Sequence, residues 1–319
     1  FTPKFVELFG QSRMPHEPIE DHHYAIASAM QRVAEEITFH MMHWLHKETK
    51  QSNLAVSGGF FMNSVLNGKI ISNTPFTDLF ISSCPDDSGN AIGGPLYVYN
   101  HILGHEQRPV LTHNYFGPEF SNDEIEKALS LGGVLGERSD NICADTADLI
   151  NRGLLIGWFQ GRMEFGQRAL GNRSILADPR GADTKDKINA AIKFREGFRP
   201  FAPAVLEGRA DEYFELGPDT RVPFMEAVYP VRKDKQAALP AVTHEDGSGR
   251  VQTVDQKTNP SFYKLIEEFD KLTGIPILLN TSFNLNGEPI VCSPSDAIRA
   301  FFSCGLDVLV MGDYIVRKS

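Results

Sequence analysis

The densest group of residues able to do chemistry is a segment rich in glycine and arginine, from Gly161 to Ser174. It reads GRMEFGQRALGNRS, with three arginines at spacings of six and five residues among three glycines. Arginine makes planar, bidentate contacts to phosphate, and glycine lets a ligand approach the backbone closely. No Gly-Lys-Ser/Thr sequence follows, so the segment is not a P-loop. The pattern favours a pocket in which side-chain cations bind a phosphorylated molecule.

Further cations and polar groups follow this segment along the chain. Lys193 and Arg199 flank a loop that contains aromatic residues, and Arg250 stands at the entry to a predicted strand. Residues 280–284, Asn-Thr-Ser-Phe-Asn, directly follow another predicted strand and place polar side chains at alternate positions. Between Arg152 and Arg199 there are ten basic and five acidic residues. Charge alone leaves two interpretations open: a phosphate pocket, or a solvated helix face with ion pairs.

Two turns nearer the start of the chain also carry candidate ligand groups. Gly58 and Gly59 end a predicted strand and precede Asn63, which stands about one helical turn further on. The pair Asp86-Asp87 stands in a similar place after the next strand. The first turn offers helix N–H groups to an anion, and the second offers carboxylates to a metal. A tight turn without a ligand and an Asp helix cap remain equally simple explanations.

Composition limits the classes of protein that this chain can represent. The chain has 319 residues, 41% of them hydrophobic, which is enough for one large or two ordinary domains. Its formal net charge of −10 disfavours nucleic-acid binding, and no apolar run reaches the length of a membrane span. Four scattered cysteines without metal-binding spacing predict a reducing, cytoplasmic location. Because residue 1 is Phe, we expect part of the parent protein to precede it.

The predicted elements alternate between strands and helices, which indicates an α/β fold. A long amphipathic helix is predicted over 21–48, and strand–turn–helix units follow it up to about residue 99. We expect a linker over 103–121, and a capping-box pattern at Ser121 and Glu124 begins a second unit with a mixed sheet. Its strands are predicted at 154–159, 201–206, 224–231, 275–279 and 306–311, and its helices at 183–192, 259–273 and 294–303. Residues 232–249 are polar, which predicts a mobile flap over a site.

Six motifs together resemble the NodU/CmcH-type O-carbamoyltransferases over nearly the whole chain. They are S-G-G-x-x-x-N, P-x-D-x-G-x-A-x-G, G-R-x-E-x-G-x-R-A-L-G-N-R-S, F-R-x-x-F-R-P-F-A-P, G-R-V-Q-T-V and L-N-T-S-F-N. The resemblance implies that residues 1–115 are the second half of an actin-like carbamoyl-transfer domain. Residues 116–319 would then be a YrdC-like domain that makes carbamoyl-adenylate from ATP and carbamoyl phosphate. The carbamoyl group would pass to a hydroxyl of a small-molecule or sugar acceptor.

The resemblance also implies roles for particular residues. It places Lys193, Arg199, Arg250, Ser282 and Asn284 around carbamoyl phosphate, and Arg162 and Arg168 on the nucleotide phosphates. Gly58, Gly59 and Asn63 would form the nucleotide turn of the actin-like domain. Asp87 would bind a metal, iron or another divalent ion, and Mg²⁺ with ATP is also expected. The two histidines that share this metal would lie in the missing N-terminal half, because His22 and His23 lack the spacing.

Three other functions compete with this one. The nearest is a tRNA threonylcarbamoyladenosine-type enzyme, which shares both domain types but uses threonine and bicarbonate. A sugar-kinase-like sensor would explain the two early turns and leave the later cations unexplained. A nucleic-acid-binding module is disfavoured by the acidic composition.

Overall fold

The chain divides into two compact units, which are described here from a computed structural model. The structure describes residues 2–14, 16–108, 110–193, 199, 201–217 and 220–318. The first unit comprises residues 1–55 and 69–80, and the second comprises residues 56–68 and 81–319. The 194–198 loop that Lys193 and Arg199 flank therefore lies outside the described residues. Among the described helices, none is long and apolar enough to cross a membrane.

Ten α-helices occur in the described part of the chain. They are α1 (Pro3–Phe9), α2 (Asp21–Thr49), α3 (Ser64–Asn73), α4 (Asn90–Tyr97), α5 (Asn122–Leu131), α6 (Ile142–Asn151), α7 (Thr184–Ile188), α8 (Lys233–Gln236), α9 (Pro260–Thr273) and α10 (Pro294–Phe302). Short π-helical turns continue α4 and α7. The long helix predicted over 21–48 is confirmed as α2.

Twelve strands accompany these helices in the described residues. They are β1 (Asn53–Val56), β2 (Asp78–Ile81), β3 (Glu137–Arg138), β4 (Ile156–Phe159), β5 (Arg173–Ala177), β6 (Ala202–Leu206), β7 (Val228–Pro230), β8 (Ser248–Arg250), β9 (Gln252–Val254), β10 (Ile277–Ser282), β11 (Val308–Met311) and β12 (Tyr314–Arg317). β1 pairs with β2, and β7 pairs with β8. The remaining eight form one sheet in the order β3-β12-β11-β4-β5-β10-β6-β9.

The large sheet is mixed, as the sequence predicts. β11 runs parallel to β4 and β6 runs parallel to β9, while the other neighbours are antiparallel. Successive residues of a strand face opposite sides of a sheet, and this alternation separates two cores. Phe159 belongs to one core and the adjacent Trp158 to the other. Helices α5 and α10 supply one core and α6 and α9 the other, so the second unit is a three-layer α/β/α structure.

Local signals fix where the flanking helices begin. The predicted capping box before α5 is confirmed: Ser121 Oγ accepts the Glu124 N–H at 3.3 Å, and Glu124 Oε2 accepts the Ser121 N–H at 2.8 Å. Helix α9 begins with an Asn cap followed by proline and ends at Gly274 in the left-handed region. These caps satisfy backbone groups that the first and last helical turns leave unpaired.

Two of the predicted elements are wrong. Residues 232–249 do not form a mobile flap, because Leu239, Ala241 and Val242 are fully buried in the core beside helix α8. The strand predicted over 224–231 is reduced to β7, since Met225 takes a positive φ of 56° that a strand does not allow. Within the described residues, the linker predicted over 103–121 contains no helix or strand.

Two leucines on α5, separated by one residue, provide a test of the core assignment. Leu129 is 3% exposed and Leu131 is 81% exposed. We expect Leu129→Ala to lower the free energy of unfolding by about 3 kcal/mol, because it leaves a cavity. Leu131→Ala should change it by less than about 0.5 kcal/mol. Urea unfolding of both variants checks this expectation, and equal losses would show that α5 packs by another face.

Candidate active site

Four of the predicted site residues line a cavity of about 290 Å³ in the second unit. Its walls come from the loop between β4 and β5, from β8 and from β10. The lining residues are Gln167, Arg168, Ala169, Arg199, Met225, Arg250, Asn280, Thr281 and Ser282. Three of them are arginines, and none of those described is a carboxylate. The charge of the lining therefore favours an anionic ligand.

Arg168 contributes a charge that the described residues leave unneutralised. Burial lowers the pKa of its guanidinium, and no neighbouring carboxylate opposes that effect. A partly buried cation carries a desolvation cost when no opposite charge is near it. An anionic ligand in the cavity supplies that charge, so the arrangement favours binding of phosphate-like groups.

Lys193 is placed behind the cavity wall instead of among the lining residues. Its side chain is 5% exposed, and Nζ donates to oxygens of the 282–284 turn. The acceptors are the carbonyl oxygens of Ser282 at 2.6 Å and Asn284 at 3.2 Å, Ser282 Oγ at 3.2 Å, and Asn284 Oδ1 at 2.7 Å. Ser282 Oγ in turn donates to Asn284 Oδ1 at 2.6 Å. The structure thus brings Lys193, Ser282 and Asn284 together, with Ser282 at the cavity surface.

The loop that carries Arg168 is held from inside by Glu164, a residue that the sequence reasoning missed. Glu164 is 4% exposed, and its Oε1 accepts the N–H groups of Leu170 at 2.7 Å, Asn172 at 2.8 Å and Arg173 at 3.3 Å. Burial raises the pKa of this carboxyl, an effect that the backbone hydrogen bonds oppose. The sequence did offer one signal for this role, because Glu164 is the one acidic residue among three arginines and three glycines in the 161–174 segment.

Side chains from two other motifs continue this network. Gln252 Nε2 donates to the Leu170 carbonyl at 2.9 Å, and its Oε1 accepts from Asn280 Nδ2 at 2.8 Å. Asn280 Nδ2 also lies 3.2 Å from the Ala169 carbonyl. Because Gln252 and Asn280 are almost fully buried, these bonds fix the far end of the arginine loop. The G-R-V-Q-T-V and L-N-T-S-F-N motifs therefore support the cavity as well as lining it.

The three arginines of the 161–174 segment have different environments. Arg173 is fully buried, lies 3.6 Å over the Phe159 ring, and donates to carbonyls of Gln160, Gly161 and Pro118 among others. It is a structural residue. Arg162 is exposed, donates to the Phe116 carbonyl at 3.4 Å, and does not line the cavity. Arg168 alone of the three reaches the cavity wall.

The two early turns lie next to each other in the second unit. Gly58 has a positive φ of 103°, and its N–H donates to the Pro85 carbonyl at 2.6 Å. A Cβ on Gly59 would lie 3.9 Å from Asp86 Cβ. Asn63 Oδ1 accepts the Leu66 N–H at 3.1 Å, which is a helix-capping contact at the start of α3. Asp87 is exposed and begins a short 3₁₀ turn.

Comparison with known proteins places this geometry in a family. The model described as the carbamoyltransferase C-terminus matches residues 147–318, which is more than half of the chain, and the carbamoyltransferase N-terminus model matches residues 2–96. The chain belongs to the carbamoyltransferase family. Both matches agree with the resemblance read from the six motifs.

The alignments with individual relatives cover most of this chain. It is 46% identical over 312 residues to nodulation protein NolO of Bradyrhizobium diazoefficiens, covering 97% of this chain and 57% of that protein. It is 45% identical over 306 residues to nodulation protein NolNO of Sinorhizobium fredii, with 94% and 45% covered. The 3'-hydroxymethylcephem-O-carbamoyltransferase of Amycolatopsis lactamdurans is 36% identical over 263 residues, with 82% and 48% covered. The chain spans about half the length of these curated relatives.

The described residues of this carbamoyltransferase-family chain do not complete a metal site around Asp87. No group of three potential ligands within the described ranges includes Asp87. The group that does occur there comprises Glu20, His22 and His23, at the start of α2. His23 Nδ1 accepts the Glu20 N–H at 3.0 Å, which places the proton of a neutral ring on Nε2. That imidazole serves helix capping.

A second carboxyl that the sequence reasoning missed stands next to the cavity residue Met225. Glu226 Oε2 accepts the Phe224 N–H at 2.8 Å, and the Glu226 carbonyl accepts from Asn67 Nδ2 at 2.7 Å. Burial raises the pKa of Glu226 to about 7. The only signal in the sequence was one acidic residue inside the apolar stretch Phe224–Val228.

Arg173 and Arg168 should respond differently to the same substitution. Arg173→Met removes hydrogen bonds to several buried carbonyls, so we expect it to lower the free energy of unfolding by about 3 kcal/mol. Arg168→Met removes a partly buried cation that no described carboxylate neutralises, so stability should be unchanged or slightly higher. Its pyrophosphate affinity should fall at least roughly tenfold. Urea unfolding measures the change in stability, and calorimetric titration measures the pyrophosphate affinity. If Arg168→Met lost as much stability as Arg173→Met, Arg168 would be a structural residue like Arg173.

Glu226 should make stability depend on pH. Its folded-state pKa of about 7 lies above the ordinary 4.5, so its stabilising contribution is complete below pH 4.5 and is lost as pH rises through 7. Between pH 5 and 8, we expect the protein to lose roughly 1–3 kcal/mol relative to Glu226→Gln. Unfolding of both proteins across this range tests the sign, with the exposed Glu106→Gln as the control. Parallel curves for the protein and Glu226→Gln would refute it.

Proposed function

We propose that this chain carries the carbamoyl-adenylate-forming site of an ATP-dependent O-carbamoyltransferase. In this proposal the arginine cavity binds carbamoyl phosphate and the phosphates of ATP, and yields carbamoyl-adenylate, pyrophosphate and phosphate with one water consumed. The carbamoyl group then passes to a hydroxyl of a small-molecule or sugar acceptor. The supporting observation is a single cavity lined by Arg168, Arg199 and Arg250 without a described carboxylate.

Electrostatics gives the reason that this reaction needs such a cavity. Carbamoyl phosphate and ATP are both anions, and unit charges about 4 Å apart repel by about 4 kcal/mol at an effective dielectric near 20. Fixed cations offset this repulsion and stabilise the charge that develops on the transferred phosphoryl groups. Guanidinium groups suit the task because they stay protonated and bind two oxygens at once.

The size of the cavity suits a small ligand. About 290 Å³ is at the lower end of the range for small-molecule pockets. It supports binding of carbamoyl phosphate, or of the phosphate end of a nucleotide, within the cavity. Arg162 lies outside the lining residues, so Arg168 is the better candidate of the two for the nucleotide phosphates. Ser282, held by Lys193, supplies a polar edge.

The finer parts of the resemblance belong to the same proposal. They include the actin-like assignment of residues 1–115 and the YrdC-like assignment of residues 116–319. Gly58, Gly59 and Asn63 would form the nucleotide turn of the transfer domain. Asp87 would give one carboxylate oxygen to iron or another divalent metal, and Mg²⁺ would accompany ATP. The acceptor is proposed only as a hydroxyl compound, although one relative is named for a cephem.

Pyrophosphate exchange tests the adenylate-forming step without knowledge of the acceptor. With carbamoyl phosphate present, the chain should incorporate labelled pyrophosphate into ATP, because adenylate formation is reversible. Arg250→Met should lower the exchange rate at least roughly 100-fold through lost charge stabilisation. Arg152→Met, a change in the same basic region at an exposed site paired with Asp148, should leave the rate unchanged.

Two outcomes would overturn the proposal. Folded chain that shows no exchange with carbamoyl phosphate at any concentration tested would contradict the adenylate-forming assignment. Exchange that requires threonine and bicarbonate instead would favour the threonylcarbamoyl-adenylate reaction, which is the nearest alternative.

A further inference from the structure

Asp86, one of the two adjacent carboxylates that the sequence offers to a metal, makes a contact that reaches the cavity wall. Its Oδ1 accepts the Ser88 hydroxyl at 2.5 Å, and its Oδ2 accepts a hydrogen bond from Gln167 Nε2. Gln167 lines the cavity and directly precedes Arg168. Both oxygens of one carboxylate are therefore engaged, one within its own turn and one on the arginine loop.

The arginine loop docks closely on this turn at two further points. Cys84 Sγ donates to the Phe165 carbonyl at 2.8 Å. Gly166 has a positive φ of 121°, and a Cβ there would lie 2.7 Å from Cys84 Sγ. Any side chain at position 166 would push the two segments apart. The contact between residues 84–86 and 165–167 is therefore a packed interface that places the loop.

The placement of Arg168 depends on the loop that carries it. Its pKa reflects burial alone, and within the described part of the chain its guanidinium has no ion pair. An ion pair would orient the side chain directly, but here the orientation comes from the backbone of the loop. The hydrogen bond at Gln167 is the anchor nearest to Arg168 on the side of the Asp86 turn.

We propose that Asp86 is a positioning residue for the cavity, acting through Gln167 on Arg168. Through this hydrogen bond, the turn that carries Asp86 and Asp87 is coupled to anion binding between the arginines. The inference takes its ligand, carbamoyl phosphate, from the proposed function. The contact itself is independent of which phosphate compound fills the cavity.

A double-mutant cycle on ligand affinity tests the coupling. Carbamoyl phosphate is titrated calorimetrically into the full chain and into Asp86→Ala, Gln167→Ala and the double variant. Each single change should weaken binding about tenfold, as expected for loss of a hydrogen bond to a charged group. The double variant should bind like Gln167→Ala, because Asp86 acts only through that side chain. Asp78→Ala, a change of an exposed Asp in strand β2, should bind like the unaltered chain.

Exchanging the donor and acceptor provides a second, charge-sensitive test. Gln167→Glu faces Asp86 with a like charge and should weaken binding more than tenfold. Adding Asp86→Asn restores a donor–acceptor pair and should recover part of the lost affinity, while the carboxylate that stays in the cavity lining keeps the affinity below that of the unaltered chain. A general loss of structure would not be reversed by this second change. Melting temperatures of all variants are measured in parallel.

Several results would overturn the inference, and they are distinct from failure of the proposed function. The inference is refuted if Asp86→Ala binds carbamoyl phosphate as tightly as the unaltered chain does. It is also refuted if Asp86→Ala lowers the affinity equally in the unaltered chain and in Gln167→Ala, or if adding Asp86→Asn to Gln167→Glu recovers no affinity. If the unaltered chain binds pyrophosphate but not carbamoyl phosphate, the proposed function fails and the same cycle is run with pyrophosphate. Binding of neither anion would refute both.

Discussion

The cavity lined by Arg168, Arg199 and Arg250 depends on the buried carboxylate of Glu164. Glu164 gathers three backbone N–H groups onto a single oxygen, which closes the loop between β4 and β5 around it. Buried N–H groups require partners, and in this loop no strand neighbour supplies them. Gln167 and Arg168 lie between the residues held in this way, so their position follows from that closure. The cost of burying the carboxylate, seen in its raised pKa, is offset by these bonds.

The arginines of the 161–174 segment differ in whether protein groups satisfy their guanidinium groups, and this difference follows their depth of burial. Arg173 lies deep enough for its guanidinium to be satisfied by carbonyl oxygens and the face of Phe159. Arg168 lies where no described carboxylate or ion pair satisfies it. A chain with a net charge of −10 thus keeps a positive cavity by excluding acidic side chains from its lining. Part of the excess of basic residues between Arg152 and Arg199 is explained by ion pairs at the helix surface, since Arg152 pairs with Asp148 at the end of α6.

Periodic segments were predictable from the sequence, and isolated interactions were not. Helix α2, the capping box before α5 and the central strands β10 and β11 follow from hydrophobic spacing and local hydrogen bonding. Strand β5 was missed because its first residues belong to the arginine motif, which resembles a loop. The flap prediction failed because the polar composition of residues 232–249 concealed three buried apolar residues. Asp86 acts through a contact with Gln167, which is 81 positions away in the chain, and single-sequence spacing carries no signal for such a contact.

Lys193 shows how a motif residue can serve a site without touching its ligand. Its ammonium group donates to four oxygens of Ser282 and Asn284, and these bonds fix the turn that presents Ser282 at the cavity surface. A charged donor strengthens each hydrogen bond relative to a neutral one, so an ammonium group suits this holding role. Lys193 therefore shapes this edge of the cavity from one layer behind the wall.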